Sequence, residues 1–362
     1  MKIIHCADFH LDSAMTSNLD EALAIQRRNE LLLSFVRITD YAQANDVSII
    51  LISGDLFDKR NISAITRETV MQCIVSHPHI HFYYLKGNHD ENSSFCGAKE
   101  SMPENLYCFD NVWRSYEEGN GTVTISGVEP SGVDPTKLYE NIPNITNGFH
   151  IVMLHGQESE SGMKSGIVNL KALRYHHIRY LALGHIHYYK RESLDGYGIY
   201  CYPGCPEGRG FDECGPHGFI LLEIQDGCFT DRFIPFSRRS LFSLTVEVSN
   251  CTDHQNILQR ARDAALCAGC TQSDLVRFIL NGIREIEFTL NLDYLRSSLA
   301  DEFYYVDVID RTKLLIDPEE YASDMSLKGE FVRLILADTT LSDEEQKAVI
   351  RYGLSALIGE EI

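Results

Sequence analysis

Apolar positions in the first half of the chain come in short unbroken runs. Lys2 to Ala7, Val47 to Ile52, Phe82 to Leu85, His150 to Leu154 and Ile178 to Leu183 are five such stretches. Continuous runs of this length predict strands buried on both faces. Leu19 to Asn45 instead carries Leu31, Phe35, Ile38 and Ala42 at helical spacing, and a second helix is predicted over Ile62 to Ser76. A stretch punctuated by Pro and Gly, Cys96 to Asn147, holds short strands such as Val123 to Val128 and a loop at Pro130 to Pro135. Tyr200 to Phe236 reads as strands and turns.

The pattern shifts near Pro235 to Ser240. Beyond it come a strand (Phe242 to Ser249), a helix (Asp253 to Ala268), a strand (Leu275 to Gly282), a helix (Asn291 to Phe303) and a strand (Tyr304 to Ile309). This β-α-β-α-β order predicts a small second domain. Two helices follow, Gly329 to Ala337 and, after an N-cap at Ser342, Asp343 to Leu357. The expected division is residues 1–240, 241–317 and a helical segment over 318–362. No internal repeat is visible.

Composition alters this picture in three ways. No apolar run reaches the roughly 20 residues that span a bilayer, so no membrane role is expected. The first ten residues, MKIIHCADFH, contain no apolar signal region, and eleven cysteines without disulfide-like spacing suit a reducing cytoplasm, so a cytoplasmic protein is expected. The pair Cys267 and Cys270 has CxxC spacing but no second pair to complete a zinc site, and reads as core or helix-end thiols. A net charge of −20 opposes any protein that coats nucleic acid through a basic surface.

The chemistry gathers where the strands stop. The first run delivers Asp8, Phe9 and His10. The second ends in Gly54, Asp55, Leu56, Phe57 and Asp58, and the third in Gly87, Asn88, His89 and Asp90. The last two end in His155-Gly156 and in Gly184-His185-Ile186-His187. An isolated DxH or HxH is weak, but ligands collect at the carboxyl ends of strands in α/β sheets, and all five runs end this way. Asp8, His10, Asp55, Asn88, His155, His185 and His187 together suit two divalent ions. Carboxylate, imidazole and amide donors without thiolate favour Mn, with Fe or Zn as alternatives. Such a pair activates water and clamps the attacking and leaving oxygens of a displacement at phosphorus, so phosphate ester hydrolysis is the expected reaction. His77, His79 and His81 precede the third run and read as surface or loop residues.

These five motifs resemble those of the calcineurin-like metallophosphoesterases, over about the first 235 residues. Within that superfamily GDLFD, PGCPEGRGFDE after the last motif, the added domain and the tail segment Leu327 to Arg333 are similar to the SbcD-type DNA repair exonucleases, nearest the YhaO-like branch. The resemblance implies an α/β (α+β) fold, a four-layer metallophosphoesterase β-sandwich flanked by helices, with the second domain as a capping or DNA-recognition module. It assigns Asp8, His10, Asp55 and His187 to one ion and Asp55, Asn88, His155 and His185 to the other, with Asp55 bridging. It makes His89 catalytic and gives Asp90 the task of orienting it. Asp58 is either a partner to a ligand or a helix N-cap. Lys86 replaces a proline that often precedes the GNHD motif.

Arg60 and Arg209 are candidate phosphate contacts, or else loop arginines paired with acids, and Lys137 and Lys164 receive no role. The implied activity is a two-metal DNA nuclease, an exonuclease working as a homodimer with an SbcC-type coiled-coil ATPase. Phe331, Leu334 and Ile335 would dock that ATPase, or pack within the chain's own second domain. Two alternatives carry different weight. A phosphodiesterase for cyclic nucleotides or other small molecules suits the acidic charge, whereas a non-catalytic scaffold role is opposed by the presence of all seven ligand types.

Overall fold

The computed structural model describes the chain except residues 16–18, 20, 59–61, 92, 98–101, 130–133, 135–136, 163, 286–287, 315–320, 322–323 and 358–362. The chain divides into two compact units, Met1–Leu241 and Phe242–Ile362. The boundary expected at 317/318 lies outside the described residues.

The first unit runs β1 (Lys2–Cys6), α1 (Glu21–Ala44), β2 (Ile49–Ser53), α2 (Ala64–Ser76), β3 (His81–Leu85), β4 (Leu106–Cys108), β5 (Arg114–Glu118) and β6 (Val123–Gly127). It continues with β7 (Phe149–His155), β8 (Gln157–Ser159), β9 (Ile167–Asn169), α3 (Leu170–Leu173), β10 (Tyr180–Gly184), β11 (Lys190–Ser193), β12 (Ile199–Tyr202), β13 (Gly218–Gln225) and β14 (Cys228–Pro235). Two six-stranded sheets result, in the orders β14-β13-β1-β2-β3-β4 and β11-β12-β10-β7-β6-β5. In the first, β1, β2, β3 and β4 are parallel, and in the second, β6, β7, β10 and β12 are.

The unbroken apolar runs explain the layering. In β2, Ile49 and Leu51 face the second sheet and pack with Ile151, Met153 and Tyr180, whereas Ile50 and Ile52 face α1 and pack with Phe35 and Ile38. On the far side of the second sheet, Val152, Leu154, Leu181 and Leu183 pack against Leu138, Leu170 and Leu173. Both sheets are therefore covered on both faces, which is why period-2 alternation is missing from their central strands. This is the mixed α/β sandwich of the expected fold class.

Two expectations are corrected. Cys96 and Cys108 form a disulfide although their spacing gave no sign of one; β4 lies beside β3 and returns the chain to the loop that leaves the GNHD motif. His81 is at the surface, its side chain 37% exposed, but it is the first residue of β3 rather than part of a loop, with its Nδ1 on Glu118 Oε1.

The second unit contains β15 (Leu241–Glu247), α4 (His254–Ala268), β16 (Leu275–Asn281), β17 (Ile283–Arg284), α5 (Leu292–Leu299), β18 (Tyr305–Asp310), β19 (Lys313–Leu314), α6 (Leu327–Leu336) and α7 (Asp343–Leu357). Its main sheet has the order β15-β16-β18, with β16 and β18 parallel. Asp253 caps α4 by accepting from the Asn256 amide, and Gly269 closes it in the left-handed conformation. Ser342 and Glu345 exchange hydrogen bonds in a capping box before α7. Of the three residues considered for partner docking, Phe331 and Ile335 pack with Ile350 and Leu354 of α7, and Leu334 is 66% exposed.

Candidate metal centre

Parallel pairing brings the carboxyl ends of β1, β2 and β3 side by side, and β7 and β10 do the same in the second sheet. The loops leaving these ends meet. Beyond β1, the amides of Asp8 and His10 donate to the carbonyls of Gly54 and Asp55, so two site loops travel together. His155, at the end of β7, crosses between the sheets to reach the Ser53 carbonyl through Nδ1 at 2.9 Å. The His185 amide donates to the Asp8 carboxylate at 2.9 Å.

The backbone is strained where these side chains emerge. Asp8 (φ 55°), His10 (φ 48°), Asp55 (φ 51°) and His185 (φ 108°) all have positive φ, a conformation costing about 1–3 kcal/mol for a non-glycine residue and found where function fixes it. Glycines relieve the closest approaches: a Cβ on Gly87 would lie 2.2 Å from Asp55 Oδ1, and one on Gly54 2.1 Å from His155 Nδ1.

The donors converge in two adjoining groups. In the first, His10 Nε2 and His187 Nε2 are 3.2 Å apart. Each ring gives its other nitrogen to a carboxylate, His10 Nδ1 to Asp58 at 3.1 Å and His187 Nδ1 to Glu213 at 2.7 Å. An ionised carboxylate can only accept, so His10 Nδ1 carries hydrogen, and so does His187 Nδ1 through its shorter contact, Arg209 Nη2 at 3.1 Å being engaged with Glu213; the two Nε2 lone pairs then face each other. That contact is unfavourable unless a cation lies between them. A separation of 3.2 Å suits two nitrogens each about 2.1 Å from one ion. Asp8 closes this group.

In the second group, Asn88 Oδ1 is 3.0 Å from His155 Nε2 and 3.1 Å from His185 Nδ1. Asp55 Oδ2 stands between the groups, 3.3 Å from His155 Nε2 and 3.9 Å from His10 Nε2. All seven residues expected as ligands are thus brought near one another, with Asp55 between the two groups.

The electrostatics fit cation binding. Burial pushes Asp8 up to about 7, against the pull of His155 and His187. Asp55 is held down to about 2 because its bonds to His155 and attraction to His10 outweigh its burial. Burial lowers His10 to about 4, leaving a neutral ring able to ligate at neutral pH. Against its burial, the Asp55 carboxylate raises His155 to about 9, so an ion bound there would displace a proton. The donor set fits two divalent ions, and the structure bears equally on Mn, Fe and Zn.

His89 stands at the rim with its side chain 44% exposed and its Nδ1 3.1 Å from Asp58 Oδ1. That bond to Asp58 raises its pKa above the usual histidine value, against partial burial. Asp58 itself lies well below the carboxylate range, because His10 and His89 overcome its burial. The N-cap of α2 is Ser63, so Asp58 is a partner to histidines.

The expectation for Asp90 is corrected. Its buried carboxylate accepts from Tyr84 Oη (2.7 Å), the Gly87 amide (2.7 Å) and the Phe57 amide (3.3 Å), and turns inward below the loop. Asp58 takes the place on His89 that adjacency in sequence had suggested for Asp90. Arg209 is an acid-paired arginine: Nη2 lies 2.7 Å from Glu213 Oε1, and Nη1 3.8 Å from Asp58. Arg60 lies outside the described residues. The Lys86 side chain faces Glu129 at 3.8 Å. Sequence reading missed Glu213, whose only signal was its place in the PGCPEGRGFDE stretch.

Comparison with known proteins bears on the same segment. The calcineurin-like phosphoesterase profile matches residues 1–189. An uncharacterized metallophosphoesterase, YhaO, of Bacillus subtilis is 29% identical over 265 residues, 64% of this chain and 60% of its own length. The D component of the nuclease SbcCD of Escherichia coli is 23% identical over 267 residues, 61% of this chain and 64% of its own. The chain therefore matches less than two thirds of either relative's length. Among solved structures, a dimetal phosphatase from Danio rerio aligns at 11% identity with a TM-score of 0.43, over 64% of this chain and 95% of its own, a likeness too low to add to the family assignment.

Proposed function

The chain belongs to the calcineurin-like phosphoesterase family, and from that premise, which makes it a metal-dependent hydrolase, we propose that it is a two-metal nuclease cutting the phosphodiesters of DNA. The observation that carries the reading is the pair of donor groups joined at Asp55 with His89 beside them. Asp8, His10, Asp55 and His187 would hold one ion, and Asp55, Asn88, His155 and His185 the other. Bound there, two divalent ions supply the positive charge that polarises a phosphate ester and acidifies a nucleophilic water.

The chain's own residues do the rest. Asn88 adds an oxygen donor without adding charge, which keeps the total negative charge facing a phosphodiester low. His89, with Nδ1–H fixed on Asp58, keeps Nε2 as its second nitrogen on a side chain that is 44% exposed. Its raised pKa suits it to give a proton or hydrogen bond to the departing sugar oxygen. Asp58 favours the protonated ring and fixes its orientation.

DNA as substrate is supported by the similarity to a component of a nuclease and by a second unit that a small-molecule esterase does not need. An SbcC-type ATPase partner would dock near Leu334, which is exposed on α6. Hydrolysis of cyclic nucleotides is favoured instead by the charge of −20. The separating experiment supplies Mn²⁺ and compares end-labelled double-stranded DNA, single-stranded DNA and cyclic nucleotides, with Asp55→Ala as control. The reading expects nucleotide release from DNA that disappears in the variant. Intact DNA alongside hydrolysed cyclic nucleotide would refute it.

A further inference from the structure

We infer that Glu213 is a positioning residue for one ion of the pair: through Nδ1 of His187 it aims that ring's Nε2 at His10, so its loss weakens the ion position formed with Asp8 and His10 and spares the other. This rests on the reading that His187 holds an ion.

An imidazole can turn over by rotation about χ2, and either nitrogen could then face the centre. Two groups meet His187 Nδ1, Glu213 Oε1 at 2.7 Å and Arg209 Nη2 at 3.1 Å. Arg209 Nη2 already donates to Glu213 at 2.7 Å, so the shorter contact to the accepting carboxylate decides which nitrogen faces the centre. The carboxylate is itself held on three sides. The Arg209 amide donates to Oε2 at 2.8 Å, Arg209 Nη2 donates to Oε1 at 2.7 Å, and Cys205 Sγ lies 3.7 Å from Oε2. Partners of this kind raise the basicity of a ligating ring and fix its tautomer.

The loop from Pro203 to Glu213 is anchored for this task at more than one point. Its start lies against His187, where the Cys205 amide donates to the His187 carbonyl at 3.2 Å. Gly204, at φ +76°, would place a Cβ only 2.8 Å from that same oxygen, so no larger residue fits. Farther along, Glu207 is 1% exposed and accepts from Arg37 Nη1 at 3.2 Å and from the Arg238 amide at 2.6 Å. Arg27, equally buried, donates from Nη2 to the Gly208 carbonyl at 2.8 Å. Buried charges are costly unless paired, so these pairings fix the loop to α1.

The other ligand histidines are held differently, which makes the effect selective. His155 relies on a backbone carbonyl, and Asp58 is divided between His10 and His89.

The test titrates metal-free full-length protein with Mn²⁺ by calorimetry, counts bound ions by elemental analysis, and records the thermal midpoint of each metal-free protein. Wild type should bind two ions. Glu213→Ala should keep one at wild-type affinity and bind the other about 10–100-fold more weakly. Glu213→Gln, whose amide oxygen can still accept from Nδ1–H, should restore most of that loss. Two ions bound by Glu213→Ala at wild-type affinity would overturn the inference. So would equal losses in both variants accompanied by a lowered metal-free midpoint, since the role would then be structural. A wild-type protein that binds no ion would instead overturn the reading of His187 as a ligand.

Discussion

Asp58 accepts from two histidines with different proposed duties, a ligand and a proton donor, while Asp90 supports the loop between them. Substitution should separate these tasks. His89→Ala is expected to lower kcat about 10²–10⁴-fold, the usual contribution of a general acid, with metal content unchanged by elemental analysis. Asp58→Asn should lower kcat too, and because Asp58 also holds the ligand His10, it should weaken metal binding in the single and the double variant alike, which His89→Ala alone does not. Asp90→Ala leaves Tyr84 Oη and two amides without their acceptor. Each buried orphan costs about 1–3 kcal/mol, so this variant should lose several kcal/mol in chemical denaturation. The ligand types were legible because each follows an apolar run directly. The pairings Asp58 with His89 and Glu213 with His187 were not, since they join loops from different strands, and only folding sets which acid meets which ring.

At the scale of the element, buried strands and long helices were readable to within a few residues. The run Val47 to Ile52 became Ile49–Ser53, and the helix expected from Leu19 to Asn45 became Glu21–Ala44. Short elements such as β4, β5, β8 and β9 carried too few residues for a period to show. Loop geometry was partly visible through glycine. Gly87→Ala should impair metal binding more than folding, since the added methyl meets the Asp55 carboxylate 2.2 Å away. A Mn²⁺ titration beside a thermal melt of the metal-free protein checks this. The Cys96–Cys108 disulfide was not readable, because only the placement of β4 beside β3 brings the two thiols together. Reduction with a dithiol should lower stability by about 2–4 kcal/mol, and Cys96→Ser should abolish that sensitivity.

Over the whole molecule, two histidines deep in the sandwich add to its response to acid, alongside His10, which burial also lowers, and against Asp8, which burial raises. His5, bonded to Tyr180 Oη at 2.9 Å, is lowered by burial to about 3, and His150, 2.9 Å from Ser126 Oγ, is lowered by burial to about 4. Both stay neutral in the fold but take up protons near pH 6.5 when unfolded. At these two sites the unfolded state therefore binds more protons below pH 6.5, and their contribution to stability, complete above that value, falls as the pH drops toward 4, by at most about 1.4 kcal/mol per pH unit for each histidine. Compared with wild type, metal-free His5→Asn and His150→Asn should each show a denaturant midpoint that drops less, or rises more, between about pH 7.5 and 5. The metal centre lies where the two sheets present their strand ends. That centre is best tested by anomalous diffraction from crystals soaked in Mn²⁺. Two peaks roughly 3.5–4 Å apart are expected, one beside His10 and His187, the other beside His155 and His185, with Asp55 between them. A single peak, or none among these residues, would contradict the two-ion account.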